Sequence, residues 1–452
     1  MRVYSIFLCL ASLIPMKASA VCFTGSLCSP RQVTGKTPSK ATGPADVAQL
    51  ALDQKLYFAL KLTVDTAGAQ MRSEQQDYFS GMLAFHEGHF EEARQHLSAA
   101  LNARDTMLTS EQKIQAFETL GRNARLTGNF AGCAQMFEDI DKIWGARLGE
   151  ADRDIRQNRH LCVAQMGNPP QTIDFTTQFT IQRTQGMYPV HVGNVSDTVQ
   201  LDTGADETVL IESTAKKWGI VPSTSSVVMH GYSGGEFSGH PGVIPSLSIG
   251  TATLRNIPVL IVPDEDLLIA QLHLQIRVLL GLPVLQSLGS LTFKRDGSLT
   301  VSPSSFATLP DGASLWLGDS QLLVQVGTLP GTQGFHFGGP HEPRLFVLDT
   351  GSGSSYLTDH YFQEHPQQFQ GSPPETAKLA GAGGEVDIPA YAARSLPLWF
   401  GPSEVVLNGQ HVIPSPLGNE TEHFEGLLGQ DVLATLTSYT IDLRGMRFIV
   451  QP

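Results

Sequence analysis

The sequence predicts a multidomain protein, in which an N-terminal α-helical repeat domain precedes an all-β region made of two similar halves. Over residues 46–165, apolar residues recur at intervals of three and four, as in amphipathic helices. From residue 173 onward, short apolar runs alternate with Gly, Pro, Ser and Asn, as in β proteins. Within this second region, several landmarks occur twice in the same order. A chain of 452 residues is long enough for several such units.

The overall composition indicates a folded protein that does not bind nucleic acid. Hydrophobic residues make up 41% of the chain, and only 16% of residues are charged, which disfavours wholesale disorder. The formal net charge is −13, so the chain would repel a polyphosphate backbone. The 44 Gly and 27 Pro favour many turns over one long helical assembly.

The first twenty residues, MRVYSIFLCLASLIPMKASA, have the pattern of a secretory signal peptide. Arg2 gives a positive start, an apolar run follows, and Ala18-Ser19-Ala20 fits a cleavage site. The apolar run is too short to cross a bilayer comfortably, so no stable membrane span is expected. We therefore expect residues 1–20 to be a signal peptide, 21–45 a flexible leader, and the protein to be periplasmic or extracellular.

The cysteines permit two disulfides in an exported protein. Cleavage of the signal peptide removes Cys9 and leaves an even number. Pairing Cys22 with Cys28 and Cys133 with Cys162 respects the predicted domain boundaries, and free buried thiols are the alternative. No Cys/His spacing indicates zinc, and neither a metal nor another cofactor is expected.

Two segments of the helical region, 78–101 and 116–140, resemble each other. The matching positions are Gly81, Gly88, Phe90, Ala93 and Leu97 in the first and Gly121, Gly128, Phe130, Cys133 and Phe137 in the second. Small residues allow close approach of two helices, and the larger side chains fill the space between them. The pattern resembles tetratricopeptide-type helical hairpins, with a longer period than usual. That resemblance implies docking of a protein partner; a helical cap that supports the rest is the alternative.

The β region is predicted to be a tandem duplication. Its halves cover residues 174–303 and 315–452. Asp202 precedes Gly281 by 79 residues, and Asp349 precedes Gly429 by 80. A glycine-rich stretch lies between each pair of anchors, and a further glycine follows each pair after 16 residues. Two such halves can pack about a pseudo-twofold axis, which would bring equivalent residues face to face.

Each half carries one Asp-Thr-Gly triplet, and the predicted symmetry would place Asp202 beside Asp349. Two close carboxyl groups resist joint ionisation and share a proton over a wide pH range. The ionised partner can activate water as a general base, and the protonated partner can polarise a carbonyl. The Thr hydroxyls can lock the facing loops together, and the Gly residues let backbone N–H groups approach the carboxylates. This arrangement hydrolyses an amide without a metal.

These motifs resemble the retroviral-type aspartic proteases of the pepsin and retropepsin superfamily. LDTGADETVL (201–210) is similar to the retroviral active-site loop, VLDTGSGSSYL (347–357) is similar to the pepsin form, and each Leu-Leu-Gly run matches the element behind that loop. The resemblance implies a monomeric endopeptidase with a pseudo-dimeric site, in which Asp202 and Asp349 are catalytic. The implied active-site loop residues are Thr203, Gly204, Ala205, Thr350, Gly351 and Ser352.

The same resemblance implies a flap over the cleft in each half, at 227–243 and 377–392. Glycine-rich tips flanked by apolar residues are typical of β-hairpins. The predicted flap and substrate-binding residues are Tyr232, Ser233, Gly234, Gly235, Gly383 and Gly384. Flaps of this kind can pair with an extended peptide, so a peptide or protein is the expected substrate.

The chain departs from the retroviral pattern behind the active-site loops. Retroviral enzymes carry Arg after the Leu-Leu-Gly run, paired with an acid four residues past the catalytic Asp. Here Leu282 and Gln430 occupy the Arg positions, and the acid is Asp206 in one half but Gly353 in the other. Any network there must be built differently. A hydroxyl at Ser352 is expected to donate to the neighbouring carboxylate, which favours a pH optimum between strongly acidic and neutral.

Three alternatives follow from the same residues. A catalytically silent protein could bind peptides on a protease-like fold, although intact aspartates in both halves favour an enzyme. Like halves could pair across a homodimer, although the short break at 303–314 favours pairing within one chain. The helical domain could also cover the cleft as a pro-segment whose removal activates the enzyme.

Overall fold

The computed structural model of the chain describes residues 43–145, 152–230, 236–269, 274–304, 312–318, 321–327, 344–381, 384–414 and 424–451. The predicted signal peptide and the Cys22–Cys28 pair lie outside these ranges. So do the flap residues Tyr232, Ser233, Gly234, Gly235 and Gly383. Across the described ranges, no helix is long and apolar enough to cross a membrane.

The N-terminal part is helical, as its apolar periodicity predicts. Its helices are α1 (Pro44–Asp53), α2 (Tyr57–Ala67), α3 (Ser73–His86), α4 (Phe90–Asn102), α5 (Ser110–Leu126), α6 (Phe130–Trp144) and α7 (Asp152–Gln165). Helix α5 begins with a capping box, in which Thr109 Oγ1 accepts from Gln112 N at 3.1 Å and Thr109 N donates to Gln112 Oε1 at 2.9 Å. This cap fixes where α5 starts.

The predicted small-to-large contacts join two helical hairpins, α3–α4 and α5–α6. A Cβ atom at Gly81 would lie 2.7 Å from Leu97 Cγ, and one at Gly121 would lie 2.6 Å from Phe137 Cε2. Both distances are too short for a real Cβ contact, so glycine is required for the helices to approach this closely.

A disulfide between Cys133 and Cys162 joins α6 to α7. The Cα atoms of the two residues are 5.8 Å apart. The bridge lies in a buried cluster with Phe137, Ile140 and Ile155. This pairing confirms one of the two predicted bridges.

The first half of the β-rich part contains strands of 2 to 14 residues and two short helices. They are β1 (Thr172–Asp174), β2 (Phe179–Gln182), β3 (Tyr188–Val192), β4 (Val195–Leu201), β5 (Val209–Ile211), α8 (Glu212–Trp218), β6 (Val227–His230), β7 (Glu236–Ile249), β8 (Ala252–Val262), β9 (Leu268–Ile269), β10 (Leu274–Gln275), β11 (Val278–Leu280), α9 (Leu282–Leu288), β12 (Ser290–Lys294) and β13 (Ser298–Ser302).

The second half has a similar composition of elements. They are β14 (Ala313–Leu317), β15 (Leu322–Val326), β16 (Arg344–Leu348), β17 (Tyr356–Leu357), α10 (Asp359–Glu364), β18 (Glu375–Gly381), β19 (Gly384–Ala392), β20 (Leu396–Phe400), β21 (Ser403–Leu407), β22 (His411–Val412), β23 (Gly426–Leu428), α11 (Gln430–Leu433), β24 (Ser438–Asp442) and β25 (Arg447–Gln451). Short 3₁₀ turns lie at Gly68–Gln70, Asp264–Leu267 and Pro366–Gln368.

The two halves share one sheet. Strands β2, β13 and β12 of the first half continue into β24, β25 and β14 of the second, through antiparallel pairing of β12 with β24. The strands β15, β16, β23, β17, β22, β19 and β18 extend the same sheet. A separate eight-stranded sheet of the first half has the order β1-β8-β5-β11-β4-β3-β7-β6. Because β12 pairs directly with β24, the halves form one continuous structure.

The same three-strand arrangement supports each Asp-Thr-Gly loop. In the first half, β11 runs parallel to β4 and antiparallel to β5. In the second, β23 runs parallel to β16 and antiparallel to β17. Each central strand carries the Leu-Leu pair of a Leu-Leu-Gly run, and the pairing places that run directly behind the loop.

The helices pack against the second half through a shared apolar core. Residues from α1 to α5 form one buried cluster with Trp316, Leu323 and Val347 of β14, β15 and β16. The rings of Tyr57 and Trp316 are 5.7 Å apart, and His86 Nδ1 lies 2.5 Å from the Leu317 carbonyl oxygen. The helical part and the β-rich part are therefore joined by buried apolar surface.

Candidate active site

The two Asp-Thr-Gly loops begin at equivalent points of two different sheets. Asp202 follows β4, and its N–H donates to the Leu280 carbonyl oxygen at 3.0 Å. Asp349 follows β16, and its N–H donates to the Leu428 carbonyl oxygen, also at 3.0 Å. Each aspartate is thus fixed by the Leu-Leu-Gly run of its own half.

The threonines interlock the two loops, as predicted. Thr203 Oγ1 donates to the Leu348 carbonyl oxygen at 2.5 Å, and Thr350 Oγ1 donates to the Leu201 carbonyl oxygen at 2.8 Å. Each hydroxyl also accepts from the backbone N–H of the other threonine, at 3.0 and 3.1 Å. Both side chains are buried, so these bonds are shielded from water. The interlock holds the aspartates of both halves at a fixed separation.

Each glycine of the triplets lies against the aspartate of the opposite loop. A Cβ atom at Gly204 would lie 2.5 Å from Asp349 Cγ, and one at Gly351 would overlap Asp202 Cγ. No larger residue fits at either position without displacing a carboxyl group. The glycines therefore allow the two carboxyl groups to meet between the loops.

The side chains of Asp202 and Asp349 are hydrogen-bonded to each other. Asp202 is buried and Asp349 is half-buried. Gly204 N donates to Asp202 Oδ1 at 2.9 Å, and Gly351 N and Ser352 N each donate to Asp349 Oδ1 at 2.8 Å. The structure therefore brings together the two aspartates that the sequence predicts to be catalytic.

The surroundings of the two carboxyl groups differ. Burial raises the pKa of Asp202 well above its usual value, and the charge of Asp349 raises that pKa further. Burial also raises the pKa of Asp349, but the N–H groups of Ser352 and Gly351 and the hydrogen bond from Asp202 oppose this rise. Two close carboxyl groups with raised pKa values therefore hold one shared proton, which belongs to the pair.

The prediction that the Ser352 hydroxyl donates to the Asp349 carboxylate is wrong. Ser352 Oγ donates to the Ser354 carbonyl oxygen at 2.9 Å, and only the backbone N–H of Ser352 reaches Asp349. The side chain closes the turn that follows the triplet and is therefore unavailable to the carboxylate. In the first loop, the backbone N–H of Ala205 has the equivalent role at Asp202. Both positions thus act through the backbone.

Sequence reasoning missed Arg125, which reaches the first loop from the end of α5. Its Nη2 lies 2.8 Å from Asp206 Oδ2, and its Nη1 pairs with Glu207 Oε1. Burial raises the pKa of Glu207 to about 7, although Arg125 lowers it. Burial lowers the pKa of Arg125, but the two carboxylates outweigh this effect and keep it above its usual value. The network at Asp206 is indeed built differently from the retroviral pattern.

The second loop is supported from within its own half. Asp431 Oδ1 accepts from Ser355 N at 2.9 Å and from Ser355 Oγ at 2.6 Å. Gln430, at the position of the expected arginine, donates from Nε2 to the Thr350 carbonyl oxygen at 2.8 Å. The two loops therefore have different supports.

Both predicted flap segments form antiparallel hairpins. In the first, His230 pairs with Glu236, and in the second, Gly381 pairs with Gly384. Gln157 of α7 donates from Nε2 to the Val228 carbonyl oxygen, so a helix contacts the first hairpin near its base. Gly384 is the one predicted flap residue within the described ranges, and its role as part of a flap stays a prediction.

Comparisons with known proteins agree with the character of the first loop. A family model described as aspartyl protease matches residues 188–284, which include the first Asp-Thr-Gly loop and its Leu-Leu-Gly run. No curated protein sequence matches the chain. Among solved structures, a retropepsin-like aspartic protease from Rickettsia conorii is similar, with 22% identity and a TM-score of 0.22. That match covers 28% of this chain and 99% of the other. The first half therefore resembles aspartyl proteases in sequence.

Proposed function

We propose that the protein is an aspartic endopeptidase that hydrolyses peptide bonds with a water molecule activated between Asp202 and Asp349. The observation that carries the proposal is the hydrogen-bonded carboxyl pair, enclosed by glycines of the opposite loops. Two carboxyl groups in different surroundings supply an acid and a base at the same pH. The aspartyl protease model that matches residues 188–284 supports the same chemistry.

The mechanism follows from the proton on the pair. Asp349 takes a proton from the water, whose oxygen attacks the carbonyl carbon of the peptide. Asp202 gives its proton to the carbonyl oxygen, which yields a neutral tetrahedral diol. Collapse of the diol breaks the C–N bond, and the amine leaves with a proton from the carboxyl pair. One hydroxyl proton of the diol returns to the pair, and the other stays on the carboxylic acid product. Because the proton belongs to the pair, the roles exchange during the cycle.

The proposal includes a monomer in which duplicated halves form the site. The equal backbone bonds at Asp202 and Asp349, and the repeated three-strand arrangement behind them, support a pseudo-twofold relation. The hairpins β6–β7 and β18–β19 offer edges on which an extended peptide could pair. The same edges would serve the rival function, peptide binding without cleavage.

The proposal also includes export and a second contact surface. The Cys133–Cys162 bridge supports an oxidising location such as the periplasm or the outside of the cell. The hairpins α3–α4 and α5–α6 have the close glycine contacts expected of tetratricopeptide-like repeats. Such hairpins would be the docking surface for a protein partner.

The test is cleavage of a diverse peptide mixture from acidic to neutral pH by the full chain. Asp202→Asn and Asp349→Asn keep the shape of each side chain and remove its acid–base function, so each should abolish cleavage. Thr180→Val, which alters an exposed pair with Thr300 outside both loops, is the control. Cleavage that survives either Asn substitution would contradict the paired mechanism. Peptide capture without cleavage by the unmodified protein would favour the binding function.

A further inference from the structure

The two Asp-Thr-Gly loops differ in which side chains hold them in place. Arg125 belongs to α5, whereas Asp206 and Glu207 directly follow the Asp-Thr-Gly-Ala sequence of the first loop. The side chains of Arg125 and Glu207 are only 7% and 8% exposed, and that of Asp206 is 33% exposed. A buried arginine that bridges two carboxylates in this way is held in a defined geometry.

Arg125 forms ion pairs with Asp206 and Glu207, which directly follow the backbone that orients Asp202. Gly204 N and Ala205 N donate to the Asp202 carboxyl group, and Asp206 is the next residue in the chain. The carbonyl oxygen of Ala205, directly before Asp206, accepts from Leu282 N at 2.8 Å. A shift of Asp206 and Glu207 would therefore move the N–H donors of the catalytic carboxyl group.

The second loop needs no such contact. Asp431 accepts two hydrogen bonds from Ser355, so a carboxylate of the same half holds that loop. The residue in the corresponding position of the first half is Pro283, which has no side-chain acceptor. The first half thus lacks this side-chain contact, and α5 supplies the contact from Arg125 in its place.

We propose that Arg125 is a positioning residue that holds the first catalytic loop, so that the helical part is a fixed component of the active site. The inference rests on the proposed protease function. Under this arrangement the helices remain attached in the active enzyme, in contrast to a pro-segment that must be removed. The apolar core that the helices share with β14, β15 and β16 holds α5 against the β-rich part. Arg125 is therefore kept within reach of the first loop.

The experiment measures kcat and KM for Arg125→Met in the full chain on a peptide that the unmodified protein cleaves. We expect kcat to fall about a hundredfold, as for a displacement of about 1 Å at a reacting group, with KM changed less than about twofold. Arg94→Met is the matched control, because Arg94 pairs with Glu91 on the exposed face of α4, and its replacement should leave both constants unchanged. A folded Arg125→Met protein with unchanged kcat would overturn the proposal.

A combined variant separates positioning from charge balance. Arg125→Met together with Asp206→Asn and Glu207→Gln removes the uncompensated carboxylates, so this protein should fold even where the single variant does not. If Arg125 positions the loop, kcat should stay low in the combined variant. Recovery of the original kcat would mean that the arginine only balances charge, and would refute the inference.

A second measurement distinguishes failure of the protease proposal from failure of the inference about Arg125. If the unmodified protein cleaves nothing, the protease proposal fails by itself. Carbon-13 NMR titration of the Asp202 carboxyl group then tests the positioning of the loop without catalysis. Loss of the N–H donors should raise its pKa in the combined variant. Identical titrations in the combined variant and the unmodified protein would refute the inference.

Discussion

Replacement of Thr350 by valine tests the interlock between the two halves. Valine has nearly the same shape as threonine, so the change removes the hydroxyl group without opening a cavity. The hydroxyl group donates to the Leu201 carbonyl oxygen at 2.8 Å and accepts from Thr203 N at 3.1 Å, and both bonds are buried. The substitution therefore removes two hydrogen bonds that cross between the halves.

The expected loss of stability follows from the cost of unsatisfied buried groups. At about 1–2 kcal/mol for each broken bond, Thr350→Val should lower the free energy of unfolding by about 2–4 kcal/mol. Thr203→Val breaks two equivalent bonds, to Leu348 and Thr350, and should cost a similar amount. The double variant should lose less than the sum, because each threonine holds the other in place.

Urea unfolding of the full chain, followed by circular dichroism, measures these losses. Thr180→Val is the control, because Thr180 Oγ1 pairs with Thr300 Oγ1 at 2.9 Å on an exposed surface. The control should change the free energy of unfolding by less than about 0.5 kcal/mol. A loss in Thr350→Val no larger than in the control would refute the role of the interlock.

Three further predictions concern the carboxyl pair and the helices. Gly351→Ala should abolish peptide cleavage while leaving a folded protein, because its Cβ would displace Asp202; cleavage at the original rate would contradict the packing. Folding binds the shared proton more tightly, because the pKa of Asp202 is raised. The stabilisation by that proton should be complete below pH 3.8, the ordinary pKa of an aspartate, and should be lost as the pH rises through the raised pKa. Peptide cleavage should fall over the same upper pH range. Urea unfolding of Asp202→Asn across pH should lack this dependence. Removing the Cys133–Cys162 bridge by paired Ser substitutions should cost about 3–4 kcal/mol in urea unfolding, given the separation of 29 residues; an unchanged midpoint would contradict this.

Much of the site could be predicted because its information lies in short segments and fixed spacings. Asp202 and Asp349 stand out, since each follows an apolar strand and precedes a Leu-Leu-Gly run at a matched distance. The helical hairpins could be predicted for a similar reason. Gly81 and Gly121 occupy repeated positions, and the residue that each glycine accommodates recurs with them.

The remaining parts depend on contacts that leave no periodic trace. Arg125 meets Asp206 only because α5 packs behind the first loop, and one arginine within a helix carries no sign of this destination. The acids at 206 and 207 were a partial signal, since a buried pair of acids requires a cation. The acceptor of the Ser352 hydroxyl could not be predicted for the same reason, because the local turn decides which neighbouring oxygen it reaches.

The apolar surface that joins the helices to the second half has an evolutionary consequence. Trp316, Leu323 and Val347 are buried in a cluster to which helices α1 to α5 contribute. A descendant that lost the helices would expose these side chains together and would tend to aggregate. Gene rearrangement could therefore separate the two parts only if polar substitutions arose on the sheet at the same time. A relative made of the β-rich part alone should carry polar residues at these three positions.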